Sequence, residues 1–309
     1  MTSGVTAAGS SAPLSRTTAS ADPAGQTTIA IASGKGGTGK SFIALNLACT
    51  VAMDREVVLL DCDVEEPNLH LFFSCPWDTM EVTQPVPVID PAACTRCGRC
   101  GEACQYGAMT VLADRVLFLE RLCHSCGACA LVCPEGAIRE EERIIGTIQC
   151  GRPLPKLTLV TGILNEGEVS TTRMIRKVKE MGEDHPFVIA DGPPGTACPV
   201  IETMDGCDIC LLVTEPTPFG LHDLKKAAAV AEKLGIPTSV VINRSVKEDQ
   251  EITAFCTAAS IPILAKIPFN REIAHIHGRG SILTREKPEW QSVFREIVKG
   301  CNAILSGNR

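Results

Sequence analysis

Thr28-Ile29-Ala30-Ile31-Ala32-Ser33 runs directly into Gly34-Lys35-Gly36-Gly37-Thr38-Gly39-Lys40-Ser41. The first six residues form a short apolar strand. The next eight match G-x4-G-K-[ST], a loop that cradles phosphate. Its glycines let successive backbone N–H groups wrap around phosphate oxygens. Lys40 is placed to reach the β and γ oxygens, and Ser41 to hold Mg²⁺. Beyond the loop, Phe42, Leu45, Leu47, Ala48 and Val51 give Ser41–Met53 a helical period. A glycine loop between a strand and a helix is the context that this chemistry requires, which argues against a chance glycine-rich turn.

Working outward, Glu56–Leu60 is a continuous apolar run of the kind buried in parallel sheets, and it ends at Asp61-Cys62-Asp63. Strands are predicted at Leu157–Thr161, Phe187–Ala190, Ile209–Thr214, Ser239–Asn243 and Ile261–Ile267. Helices are predicted at Thr171–Met181 and Leu221–Leu234. Strands alternating with helices imply an α/β fold, a doubly wound and mostly parallel sheet covered on both faces. The 309 residues suffice for one such domain plus a small module. A net charge of -7 and 4% aromatic residues give no case for nucleic acid. No run of eighteen apolar residues is present, so no membrane span is expected. Residues 1–27 are rich in Ser, Thr, Ala and Gly without an apolar core, and are read as a disordered tail, not a secretory signal.

Eight of the 17 cysteines form two runs of the pattern C-x2-C-x2-C-x3-C. The first is Cys94, Cys97, Cys100 and Cys104; the second is Cys123, Cys126, Cys129 and Cys133, followed by Pro134. Each run leads into a Gly-Ala turn and an apolar strand, Gly107–Val111 and Gly136–Ile138, so the two halves are an internal repeat. Four thiolates at this spacing suit a [4Fe–4S] cluster. Zinc also takes C-x2-C pairs, but the repeated triple spacing and Cys133-Pro134 favour iron and sulfide. Thiolates holding iron beside an ATP site imply a reducing, cytoplasmic setting. Pro76, Pro85, Pro87 and Pro91 are read as a linker. The expected division is residues 28–84 and 145–309 for the phosphate-binding domain, with 85–144 as an inserted module.

The loop GKGG-x-GK-S, with its extra Lys35, resembles the deviant phosphate loop of the MinD/ParA (Mrp-like) superfamily. Val57–Asp63 and Val188–Gly195 resemble that family's carboxylate and switch segments, and Thr214–Leu224 resembles its subgroup with an inserted ferredoxin domain. The resemblance spans nearly everything after Thr27. It implies an ATPase, slow or stimulated by a partner, working as a homodimer with ATP at the interface. Lys35 would reach the partner subunit's nucleotide, Asp63 would position the attacking water, and Asp61 and Asp191 would support Mg²⁺. Gly195 would sense the γ-phosphate and Asn243 would meet adenine. Two-cluster ferredoxins cross their fourth ligands, so Cys94, Cys97, Cys100 and Cys133 would hold one cluster, and Cys123, Cys126, Cys129 and Cys104 the other. Gln105 departs from that pattern, where proline usually follows.

The function so implied is ATP-driven electron transfer toward a redox or metal-cluster protein. ATP-dependent cluster assembly or carriage is the alternative. A spatial-organisation ATPase with redox-sensing clusters is a third. Cys198 stands at the offset of an interface cluster ligand in the nitrogenase iron protein, and packing is the competing role. Cys207 and Cys210 read as core thiols. Only Cys256 and Cys301 follow Asn243, so the late cysteine pair of Mrp-type carriers is absent. Cys62 should point away from its flanking aspartates. His275 and His277 are expected at the surface, and Glu289–Ile304 is read as an amphipathic helix packed on the domain.

Overall fold

The computed structural model describes residues 25–246 and 249–307. Its strands are β1 (Thr27–Ser33), β2 (Val57–Asp61), β3 (Trp77–Ile89), β4 (Met109–Val111), β5 (Val116–Phe118), β6 (Ile138–Leu154), β7 (Leu157–Leu164), β8 (Phe187–Pro194), β9 (Ile209–Thr214), β10 (Thr238–Ser245) and β11 (Ile263–Pro268). Its helices are α1 (Lys40–Val51), α2 (Arg99–Ala103), α3 (Ala128–Leu131), α4 (Thr171–Glu180), α5 (Cys198–Met204), α6 (Pro218–Lys233), α7 (Gln250–Ala258), α8 (Arg271–Gly278), α9 (Leu283–Glu286) and α10 (Gln291–Gly307). Residues 1–24 of the predicted tail lie outside the described residues. Gln26 and Thr27 do not behave as a tail. The Gln26 amide donates to the carbonyls of Gly182 and His185, and Thr27 opens β1.

One nine-stranded sheet runs in the order β11-β10-β9-β1-β8-β2-β7-β6-β3. From β11 to β7 every pairing is parallel; β6 and β3 add antiparallel strands at one edge. β1 shows why both faces must be covered. Ile29 and Ile31 pack into the core beneath α1 and α10, while Ala30 and Ala32 pack into the core on the opposite face. α10 buries Phe294, Ile297, Val298 and Cys301 in the first of these cores, as its amphipathic pattern predicts. No helix among the described residues is long and apolar enough to cross a membrane.

The proline-rich stretch is not a linker. Residues 77–89 form β3, paired with β6 from Trp77↔Gly151 to Ile89↔Ile138. β3 is the edge strand, and Pro85 and Pro87, two residues apart, direct their nitrogens to the same open side. A strand edge is where a residue without an N–H costs no ladder bond. A bulge at Val82/Thr83 marks where the ribbon leaves the main core. Val82, Ile145 and Ile148 still pack beside α4; the ribbon beyond carries a small lobe.

The lobe repeats itself in backbone conformation. Positive φ angles recur at Arg96 (56°) and Ser125 (52°), at Gly98 and Gly127, and at Gly107 and Gly136. Left-handed conformation is unusual for arginine and serine, and each lies between the first two cysteines of its run. Its apolar centre is Cys100, Met109, Cys129 and Ile138, with Val111, Val116 and Phe118 packed around them.

Candidate functional site

The C-terminal ends of the parallel strands meet at a cavity of about 520 Å³. Gly36, Gly37, Gly39, Lys40 and Ser41 form one wall, and Asp63, Glu66 and Asn68 from the segment after β2 form another. Asn243 and Phe269 close the far side. Gly39 has φ of 93°, and any Cβ there would run into the Asn243 amide, so this position accepts only glycine. The Asn243 Nδ2 donates to the Thr38 carbonyl at 2.8 Å, tying the end of β10 to the loop.

Lys40 is 7% exposed. Burial lowers its ammonium pKa, against the opposing pull of Asp191 and Asp63. Asp61 and Asp191 lie side by side in register on β2 and β8. Burial pushes the Asp191 carboxyl up to about 7, with Lys40 and the Ser41 hydroxyl drawing it down. Burial likewise raises Asp63 to about 6, with Lys40 opposing and Glu66 and Glu65 reinforcing. Asp61 is fully buried and its Oδ2 accepts from the N–H groups of Asn68 (3.1 Å) and Leu69 (3.0 Å). That aspartate therefore anchors the loop behind the cavity. Thr38 Oγ1, Asp61 Oδ1 and Asp191 Oδ1 are buried without a hydrogen-bond partner among the described residues. Unpartnered hard oxygens, with Asp191 against the Ser41 hydroxyl, are the kind of donor that suits Mg²⁺.

Because Asp191 and Asp63 hold protons up to near-neutral pH, binding Mg·ATP must expel them below pH 7. Affinity is expected to fall as pH drops from 8 to 6, by up to about tenfold per unit for each group below its pKa. Proton release on binding, read by calorimetry in buffers of different ionisation enthalpy, checks this; an affinity flat across that range would contradict it. In the protein alone both carboxylates are raised, so they destabilise the fold progressively as pH rises from about 4 to 7.

Of the residues assigned from the sequence, Gly34, Lys35, Thr38, Asp61, Asp191, Gly195 and Cys198 are not on the cavity wall. Lys35 forms an ion pair with Glu215, whose second oxygen is 3.2 Å from Arg244 Nη1. Gly195 has φ of 104°, and its N–H donates to the Ser33 carbonyl at 3.0 Å. Cys198 is exposed at the first position of α5.

Two further cavities lie in the lobe. One is lined by Cys94, Cys97, Cys100 and Cys133, the other by Cys123, Cys126, Cys129 and Cys104. Each takes three cysteines from one run and the fourth from the other. Backbone N–H groups point at the crossing sulfurs, Ala108 to Cys104 at 3.2 Å and Ala137 to Cys133 at 3.3 Å. Burial pushes the Cys104 thiol up, but N–H groups from Tyr106 to Met109 outweigh it and hold the thiol below its usual range. Among the described residues no group of His, Cys, Asp or Glu converges as a single-ion site would.

The profile of the CobQ/CobB/MinD/ParA nucleotide binding domain matches residues 29–283. The chain belongs to that family. It is a MinD/ParA-type P-loop ATPase. An uncharacterised protein of Methanocaldococcus jannaschii is 32% identical over 256 residues, covering 82% of this chain and 89% of that one. The iron-sulfur cluster carrier protein of Aquifex aeolicus is 24% identical over 295 residues, covering 90% and 67%. The septum site-determining protein MinD of Pyrococcus horikoshii, solved with Mg-ADP, shares the fold at a TM-score of 0.56 and 21% identity, covering 88% of this chain and 93% of that one.

Sequence reasoning missed part of this MinD/ParA-type pocket. His277, expected at the surface, is half-buried on the cavity wall, stacked on Phe72 at 4.8 Å and edge-on to Phe42 at 5.5 Å. Burial lowers its pKa, which favours the neutral imidazole. His277 follows the buried Ile273 by four residues on α8, so helical spacing alone could have placed it on the inner face. His275 is exposed, as expected. Cys62 lies in the core opposite the loop, away from the cavity. Cys207 and Cys210 are buried core thiols; burial pushes Cys207 up to about 11 and Cys210 higher still.

Proposed function

We propose that this ATPase couples a nucleotide-driven dimer switch to electron transfer through two [4Fe–4S] clusters toward a partner protein. The observation that carries the proposal is the pair of lobe cavities, each lined by four cysteines in the crossed combination. Bound clusters supply one-electron oxidation and reduction. The chain's own residues do the rest. The loop N–H groups and Lys40 bind the phosphates, and Ser41, Asp191 and Asp61 would hold Mg²⁺ directly or through water. Asp63, on the cavity wall, orients the attacking water, and in-line phosphoryl transfer depends on such positioning. Asn243, with Nδ2 engaged by Thr38, offers its carbonyl oxygen to the adenine amino group. For Gly195 to meet a γ-phosphate, its N–H must leave the Ser33 carbonyl, which makes this turn a two-state element. The module at 85–144, whose ends belong to the β3–β6 ribbon, would be the inserted electron-transfer unit.

Lys35 is the residue for closure between two copies, and in one chain Glu215 holds it. Lys35→Ala is expected to bind Mg·ATP within a few-fold of wild type yet fail to dimerise with a non-hydrolysable analogue, as read by sedimentation velocity. Dimers formed normally by the variant would remove its role across the interface.

The relation to the Aquifex carrier protein favours a second reading, ATP-dependent cluster assembly or transfer. Against it, Cys256 and Cys301 are both buried, in cores on opposite faces of the sheet, and cannot act together as a transfer pair. An anaerobic redox titration with and without the ATP analogue separates the two. Potentials that shift well beyond titration error support coupled electron transfer. Unchanged potentials, with ATP accelerating iron loss to an apo-acceptor, would instead favour assembly.

A further inference from the structure

α4 touches both the helix that follows Gly195 and the segment that follows Asp63. Along its C-terminal half, Arg176 grips the Glu202 carboxylate with two bonds of 3.1 and 3.0 Å. Lys179 donates to the carbonyls of Glu202 (2.8 Å), Thr203 (3.2 Å) and Asp205. All three close the end of α5, the helix that follows Gly195. At its N-terminal end, Thr171 Oγ1 donates to Glu65 Oε1 at 3.3 Å, in the turn after Asp63.

The same end of α4 meets the root of the cysteine lobe. Glu168, two residues before the Ser170 cap, forms a two-pronged ion pair with Arg143 of β6; Nη2 to Oε2 is 2.9 Å. Arg143 Nε lies 2.8 Å from Glu120 Oε1, an ion-pair contact outside hydrogen-bond alignment. Glu120 opens the 3₁₀ turn Glu120–Leu122, and its carbonyl accepts the Cys123 N–H at 3.0 Å. Opposite Arg143 in register stands Gln84, fully buried, which accepts from the Ser170 hydroxyl. The Arg121 guanidinium lies beside Gly167 on the same loop.

We propose that Arg143 is a positioning residue that couples the nucleotide pocket to the loop carrying Cys123, with α4 as the rigid element between them. The inference rests on the coupled reading above. When the Gly195 turn exchanges the Ser33 carbonyl for phosphate, α5 shifts, and the Arg176 and Lys179 bonds carry α4 with it. Glu168 then moves relative to Glu120, and Arg143 spans the two. An exposed ion pair would transmit little. Here the Arg143 side chain is 24% exposed and that of Glu168 is 12% exposed. A planar guanidinium fork on a carboxylate also fixes orientation, which a point charge does not. Coupling of this kind is reciprocal, so the redox state of the lobe must alter nucleotide affinity by the same factor.

That reciprocity supplies the test. Cluster-loaded wild type, Arg143→Gln, Arg143→Lys and Glu168→Gln are matched for iron content. The dissociation constant for a non-hydrolysable ATP analogue is then measured in oxidised and dithionite-reduced protein. Wild type is expected to show a ratio of roughly fivefold or more between the two states. Arg143→Gln and Glu168→Gln should bring the ratio to within about twofold of unity with oxidised-state affinity unchanged, and Arg143→Lys should restore part of it. A mere brace for the lobe would leave the ratio intact, and a wild-type ratio preserved in both variants overturns the inference alone. A wild-type ratio of one, with both clusters present, removes the coupled reading and the inference together. Should Arg143→Gln fail to fold, Glu120→Gln breaks the lobe side of the link at a side chain 51% exposed, and is held to the same criterion.

Discussion

Lys40→Ala is expected to reduce Mg·ATP affinity by on the order of 10²–10³-fold, to the edge of detection. The lysine is buried at the mouth of α1, beside Asp191 and Asp63. Its ammonium supplies charge-assisted bonds to phosphate and offsets the two carboxylates that would otherwise repel it. Alanine removes both effects. Without Lys40 the lowering influence on Asp191 and Asp63 disappears, so both hold their protons to higher pH and become poorer partners for Mg²⁺. The variant should fold, because Asp191 and Asp63, left without Lys40, take up protons and so avoid an uncompensated buried charge. Calorimetry with Mg·ATP, beside a melting curve to show the fold intact, decides the matter. Wild-type affinity in a folded Lys40→Ala protein would mean that phosphate binds elsewhere.

The second large effect concerns the cysteines. Cys133→Ala and Cys94→Ala are expected to abolish the same cluster, and Cys104→Ala and Cys123→Ala the other. Each single variant should fall from about eight to about four iron atoms per chain. The remaining electron paramagnetic resonance signal of the reduced protein should pair Cys133→Ala with Cys94→Ala, although the two cysteines belong to different runs. Uncrossed ligation gives the opposite pairing, with Cys104→Ala resembling Cys94→Ala. The expectation follows from the lining of the two cavities, where Cys133 stands with the first run and Cys104 with the second.

The glycine loop, its flanking strand and helix and the cysteine repeat were legible because each is local. Their geometry is set by φ and ψ within a few consecutive residues, and glycine, proline and cysteine spacing record it directly. β3 was hidden for the converse reason. Its prolines read as breakers until β6 lies beside it and shows that their nitrogens face the open edge. His277 was legible in principle from its spacing to Ile273, but the Phe72 that stacks on it arrives from a 3₁₀ turn far away in the chain.

Sequence by itself determined a doubly wound, mostly parallel sheet, a phosphate loop ending in Lys40 and Ser41, and two four-cysteine runs. Only the tertiary structure decided that Glu215 takes Lys35 and that α4 joins α5 to the root of the lobe. These contacts join residues far apart in sequence, up to 180 positions for Lys35 and Glu215. Their energies come from packing, burial and charge pairing between separate elements, and no window of consecutive residues contains those quantities.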